Sequence, residues 1–258
     1  MRRWTIRTGV SMGDAIEART VAIHGANGDG IEAYLARPTE ATAMGGVVVI
    51  HHMPGYDAGH KEITRRLATF GCAALCPNLY SREAPGADPD DAAAAARARG
   101  GVPDDRLVGD VEGGINYLWS LPASNGKAAT IGFCSGGRQS VLAACRLPVD
   151  AAVDRYGAFV VGSPPPNFPI PIAPLYDLLP QLSGPLLGLF GHEDAHPSPA
   201  DVDELDRRLT ELGRVHEFHR YDGAGHAFFA VDRPSYRPAA ASDGWLRVRD
   251  FLARHLAS

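Results

Sequence analysis

The chain has only four cysteines in 258 residues, Cys72, Cys76, Cys134 and Cys145. That is too few for a disulfide framework, and no pair has the two-residue separation of a zinc or redox motif. No apolar run is long enough to span a bilayer. The three arginines of MRRWTIRTGV have no apolar stretch behind them, so the opening segment does not read as a signal peptide. Blocks of like charge are also missing. The 25 Lys and Arg and 30 Asp and Glu are interleaved at a net charge of -5, which leaves no basic face for nucleic acid and no charged tail. There is no internal repeat and no linker that splits the chain. What is present is ordinary globular composition, 45% hydrophobic and 21% charged, enough to bury a core without disulfides or metals. These features predict a cytoplasmic protein without a nucleic-acid or membrane partner, a monomer or homodimer. Residues 1–15 read as a tail, with translation starting at Met1 or Met12, and residues 16–258 as one domain.

Two periodicities organise the rest. Around the turn signal ANGDG, Arg19–Gly25 and Ile31–Pro38 predict an antiparallel hairpin. Short apolar runs follow at Gly45–His52, Cys72–Asn78, Ala128–Cys134, Ala151–Gly157, Pro185–Gly191 and Val215–Tyr221. Between or after them, Ile63–Phe70, Asp104–Leu121, Gly136–Leu147, Ala200–Leu212 and Asp243–Ala257 space their apolar residues at helical period. Alternation of this kind predicts an α/β fold: a mostly parallel sheet with helices on both faces and the hairpin as an antiparallel edge. Reaction sites in such sheets lie at the carboxyl ends of the strands. Tyr80–Val102 and the proline-rich SPPPNFPIPI of Ser163–Ile172 read as irregular stretches leaving two such ends, as pocket walls or, for the second, a solvated loop. Cys72 and Cys76, four residues apart in GCAALC, read as core on one strand face.

The segment ATIGFCSGGRQSVLAAC runs from strand to helix through Gly132-Phe133-Cys134-Ser135-Gly136-Gly137. This is the nucleophile-elbow pattern GxSxG with cysteine in place of serine. The turn is sharp enough to strain the nucleophile's backbone, and Gly132 and Gly136 remove side chains that would collide there. The new helix aims free N–H groups and its positive dipole end at the sulfur, which favours thiolate. Ser135 is the alternative nucleophile, but only Cys134 has glycines two residues to either side.

A nucleophile needs a base, and the order along such a chain is nucleophile, acid, histidine. Asp194 follows the strand PLLGLFG, and His226 follows VHEFHRY; both fall at carboxyl ends. Glu193 is a rival acid, and His192 and His196 are rival bases. His51 and His52, adjacent on an extended segment, point to opposite faces and do not make a metal site together. No metal and no cofactor is expected.

The hairpin ending in YLARP, LATFGCAALCPNLYSREAPG, SNGKAATIGFCSGG, LFGHED and YDGAGHAFF together resemble the dienelactone hydrolase family of the α/β-hydrolase superfamily, from about Arg19 to Ala257. The resemblance implies a cysteine hydrolase acting on a small ester or lactone, with Cys134, Asp194 and His226 as its triad. It also implies an oxyanion hole made by the backbone N–H groups of Met53 and Ser135, and a thioester acyl-enzyme released by water. His52 stands where the family has a glutamate beside the thiol. Arg82 matches the first of two arginines that hold a substrate carboxylate, and the second position is Ala230, with Arg233 near in sequence. Arg82 and His52 are therefore the expected substrate-binding residues. Two other functions use the same residues: a broad carboxylesterase or thioesterase on this triad, and a redox-sensing thiol protein in which Cys134 is oxidised without turnover.

Overall fold

The computed structural model describes residues 15–41 and 43–257. Nearly all of the tail read at residues 1–15, and the alternative start at Met12, lie outside them. Eight strands form one sheet in the order β1-β2-β4-β3-β5-β6-β7-β8. β1 (Ile16–His24) and β2 (Gly30–Pro38) make the opening antiparallel hairpin, with Ile16 opposite Pro38 and His24 opposite Gly30. β2 is also antiparallel to β4 (Ala73–Pro77). From β4 onward the neighbours β3 (Met44–Ile50), β5 (Ser124–Phe133), β6 (Ala151–Arg155), β7 (Leu186–Gly191) and β8 (His216–Tyr221) are parallel. Parallel neighbours need crossovers, and the helices supply them.

The central strand β3 shows why the sheet is covered twice. Val47, Val48, Val49 and Ile50 are all fully buried, and strand alternation sends them to two different cores. Val48 and Ile50 join the core that contains Val111, Ile115 and Leu118 of α3 (Asp104–Trp119) and Val141 and Leu142 of α4 (Ser135–Arg146). Leu205 and Leu209 of α5 (Pro199–Glu211) belong to the same side. Val47 and Val49 join the opposite core, with Leu67 of α1 (Ala58–Thr69) and Trp245, Val248 and Phe251 of α6 (Pro238–Leu256). Each such aliphatic side chain removed from water contributes on the order of 1.5–3 kcal/mol. Cys72 and Cys76 belong to this second core as read.

One segment departs from its sequence reading. The stretch Tyr80–Val102 is not irregular throughout: it contains α2 (Pro89–Ala98), whose Ala92, Ala93 and Ala96 are buried. Pro89 at its first turn, with Asp90 and Asp91 beside it, is a helix-start signal. Ala92, Ala93 and Ala96 join the core on the α3 side of the sheet. Ser163–Ile172 contains no helix or strand.

Candidate active site

The chain leaves β5 through Cys134, whose φ of 54 and ψ of -121 lie outside the regions open to ordinary residues. Such a conformation costs about 1–3 kcal/mol. The surrounding glycines make it attainable. A Cβ on Gly132 would come 1.8 Å from the carbonyl oxygen of Gly136, and one on Gly136 would come 2.3 Å from that of Ile50. Neither contact is compatible with any side chain. The Cys134 N–H donates to Arg155 O at 3.0 Å, and its carbonyl accepts from the Gly137 N–H at 2.9 Å, so the strained residue is held from both sides.

At the carboxyl ends of β7 and β8 the loops bring the acid and the imidazole together. His226 Nδ1 lies 2.8 Å from Asp194 Oδ2. Asp194 is 5% exposed, and its Oδ1 accepts the His196 N–H at 2.9 Å. The carboxylate is thus fixed by the backbone of its own loop. With Nδ1 committed to Asp194, His226 turns its other nitrogen to Cys134. Burial opposes charge on His226, but hydrogen bonds to Asp194 and Cys134 outweigh it and raise the imidazole pKa to about 10. Tyr156, itself 2% exposed, lies edge-on to the imidazole at 5.1 Å and packs on Phe133 and Phe228.

The rivals fall elsewhere. His192 pairs with Asp222 at 2.5 Å on the surface. Glu193 is exposed at the rim, and the His196 ring rests against Phe159 at 5.5 Å. Ser135 opens α4, where an amide has no acceptor within the helix. The Met53 N–H likewise has no protein acceptor among the described residues. Cys134, Ser135, Met53, Asp194 and His226 all line one cavity of about 530 Å³.

The two residues read as substrate-binding do not line it. Arg82 is held in a bidentate pair with Asp110, Nη1 to Oδ2 and Nη2 to Oδ1 both at 2.8 Å, and its Nε reaches Asp29 Oδ2 at 2.8 Å. Asp110 is wholly buried and also accepts the Ala26 N–H at 2.8 Å. Arg82 therefore ties the hairpin turn to α3, and no fork is left for a substrate carboxylate. Glu83, next in the chain, pairs instead with Arg106. His52 is packed on His60, ring centroids 4.5 Å apart, and burial lowers its pKa to about 4. It is a neutral side chain at neutral pH and adds no positive charge beside the thiol.

His52, Asp57 and His60 form the one cluster of possible metal ligands among the described residues, with ligand atoms within 4.8 Å of one another. Its hydrogen bonds account for it as a helix cap. Asp57 Oδ1 accepts both the His60 N–H and His60 Nδ1 at 2.8 Å, and His60 Nε2 accepts the His52 N–H at 3.4 Å. The sequence reading overlooked Asp57 and His60, although Asp three residues before a buried helix residue is an N-cap signal. It also overlooked Phe159, whose φ of 63 is rare for an aromatic residue. Nothing in the local sequence announces that backbone.

Comparison with known proteins agrees with the fold. The family model described as the dienelactone hydrolase family matches residues 31–256. A protein of Escherichia coli strain K12 named as a carboxymethylenebutenolidase is 34% identical over 253 residues, covering 94% of this chain and 89% of its own length. One of a Synechocystis species with the same name is 31% identical, covering 88% of this chain and 92% of its own. The crystal structure of a dienelactone hydrolase from Klebsiella pneumoniae superposes with a TM-score of 0.81 at 30% identity, over 93% of this chain and 99% of that one. No helix among the described residues is long and apolar enough to cross a membrane. With a mostly parallel α/β-hydrolase sheet, and a family match that runs from the second strand to the last helix, the chain belongs to the dienelactone hydrolase family and is a carboxylic ester hydrolase.

Proposed function

We propose that Cys134, His226 and Asp194 cleave a small ester or lactone through a thioester acyl-enzyme. The observation that carries this reading is the 2.8 Å bond from His226 Nδ1 to the buried Asp194, which leaves the opposite ring nitrogen for Cys134. Cys134 Sγ attacks the substrate carbonyl, and the negative oxygen that forms takes hydrogen bonds from the N–H groups of Ser135 and Met53. The His226 imidazolium then gives its proton to the departing alkoxide. The acyl group stays on sulfur. A water next loses a proton to neutral His226 and attacks the thioester, and the thiolate leaves as the acid departs. Asp194 keeps the tautomer and stabilises the imidazolium when it forms.

The same machinery would serve a broader carboxylesterase or thioesterase. A purely redox-sensing role makes no use of the Asp194–His226 bond. All four cysteines are free, which fits the reducing cytoplasm we assign to the protein, as a single catalytic domain of residues 16–258 in monomers or homodimers.

The test is turnover of p-nitrophenyl acetate by the wild type and by Cys134→Ala. The variant should lose on the order of 10³-fold or more in kcat/KM with its fold intact. Mass spectrometry of quenched wild type should show one acyl group on the peptide that holds Cys134. Retention of wild-type turnover by Cys134→Ala rules the triad out.

A further inference from the structure

We propose that the preferred substrate is a neutral ester carrying an aromatic or similarly flat apolar group, and not a carboxylate-bearing lactone. This rests on the cysteine hydrolase reading above and assigns its substrate class.

Charge comes first. Both cations in the cavity wall are already used: His226 is paired with Asp194, and Arg138 Nη1 and Nη2 lie 3.1 and 3.0 Å from the two Asp104 carboxylate oxygens, with Nη2 also donating to Ala173 O at 2.7 Å. Arg82 lies outside the cavity on Asp110 and Asp29. At the rim, Glu193 is exposed, and no cation pairs with it among the described residues. An anionic substrate would therefore meet a like charge on entry and find no free fork inside.

Shape and lining point the same way. A cavity of about 530 Å³ is in the range that holds drug-sized ligands, well beyond a small lactone. Apart from Arg138 with its partner Asp104, and from Gln139, Glu193 and His196, the wall away from the triad is mostly apolar, with Val102, Phe159, Phe168, Ile170 and Ile172. Phe159 stacks edge-on with Phe168 at 5.1 Å and against His196 at 5.5 Å, so three rings share one corner. Phe159 holds its ring there from a left-handed backbone, φ 63, and strain of that sort persists where a ligand is clamped. Phe168 is 38% exposed although it is large and apolar, and it is carried by a segment with five prolines, Ser163–Ile172, which limits its movement. A rigid aromatic corner binds a flat apolar group with little loss of freedom.

One cation stands near the rim on the other side. Arg97 of α2 contacts Met53 Sδ at 3.6 Å, so the experiment must be able to show an anion preference. Three p-nitrophenyl esters differing in the acyl group are compared: acetate, phenylacetate and the anionic hemisuccinate, the last paired with its neutral methyl ester. A second series varies the alcohol, phenyl acetate against methyl acetate. In the wild type the methyl succinate should exceed the hemisuccinate in kcat/KM by about 10-fold, and Glu193→Gln should narrow that ratio. In Phe168→Ala the preference for the aromatic member of at least one series should fall by about 10-fold, the scale of one aromatic contact with its buried area. Preference for the hemisuccinate, especially one abolished by Arg97→Ala, overturns the proposal. So does an equal loss on aromatic and small esters in Phe168→Ala. If instead Cys134→Ala keeps activity on every ester, the triad assignment fails and not the substrate class.

Discussion

Asp194 holds His226 from beneath while its own loop holds Asp194: one carboxylate oxygen meets Nδ1 at 2.8 Å and the other takes the His196 N–H at 2.9 Å. An asparagine at 194 could keep one of these bonds but would present an amide N–H or a neutral oxygen to Nδ1. Either way the imidazolium loses its counter-charge. Asp194→Asn should lower kcat by about 10²–10⁴-fold with a smaller change in KM, while circular dichroism stays that of the wild type. A variant with wild-type kcat would show that the pair is structural.

The elevated pKa of His226 gives a second test. Its value of about 10 lies above the ordinary 6.5 because the bonds to Asp194 and Cys134 outweigh burial. Protonated His226 therefore contributes stability that is fully present below pH 6.5 and is lost as the pH rises through about 10. The imidazole Cε1 proton, followed by NMR against pH, should titrate well above neutrality. Replacing Cys134 by alanine removes one partner and should bring the midpoint down; an unchanged midpoint would mean that the thiol contributes nothing.

The elbow predicts an unusual ranking of variants. At φ 54 and ψ -121, glycine is free of the clash that alanine suffers, whereas glycine also gains freedom in the unfolded chain, an opposing effect of about 0.4–1 kcal/mol. The strain relieved is about 1–3 kcal/mol, so it should win. Cys134→Gly should melt at or above the temperature of Cys134→Ala, both being inactive. Gly136→Ala should be far worse, because its Cβ would lie 2.3 Å from a backbone oxygen of β3 that has no room to move. Differential scanning fluorimetry of the three variants ranks them.

These local rules are also what made the sequence readable. The apolar runs gave β3, β4, β5, β6 and β7 to within a few residues of their ends, because burial on two faces leaves short apolar segments no other use, and the ANGDG turn gave the hairpin of β1 and β2. Gly132 and Gly136 announced the elbow because steric exclusion is a property of the nearest chain. Distance along the chain hides the rest. Nothing in LYSREAPG says that Asp110, 28 residues on, faces Arg82, and no motif says that Phe159 and Phe168 turn their rings to one corner. α2 was hidden for a different reason. Its buried face is alanine, which carries too little hydrophobic contrast to reveal helical period, although Pro89 marked its start.

Arg82 is the residue whose role changes most between sequence and structure, and it supplies the last prediction. Its guanidinium is the bidentate partner of a carboxylate with no exposure to water, Asp110, and it also reaches Asp29 in the turn after β1. Removing it strands a buried negative charge, and breaking such a pair costs about 3–5 kcal/mol. The Ala26 N–H still bonds Asp110, and Arg82 itself is 19% exposed, so the lower end is expected. Arg82→Ala should therefore lower stability by about 3 kcal/mol in urea denaturation. The double variant Arg82→Ala with Asp110→Asn should recover part of that loss, since the stranded charge is gone. Activity gives the complementary reading. On the folded enzyme, the ratio of kcat/KM for a carboxylate-bearing ester to that for its methyl ester should be the same with and without Arg82. A selective loss on the charged substrate would put the guanidinium back in the binding site and would require Arg82 to leave Asp110 during turnover.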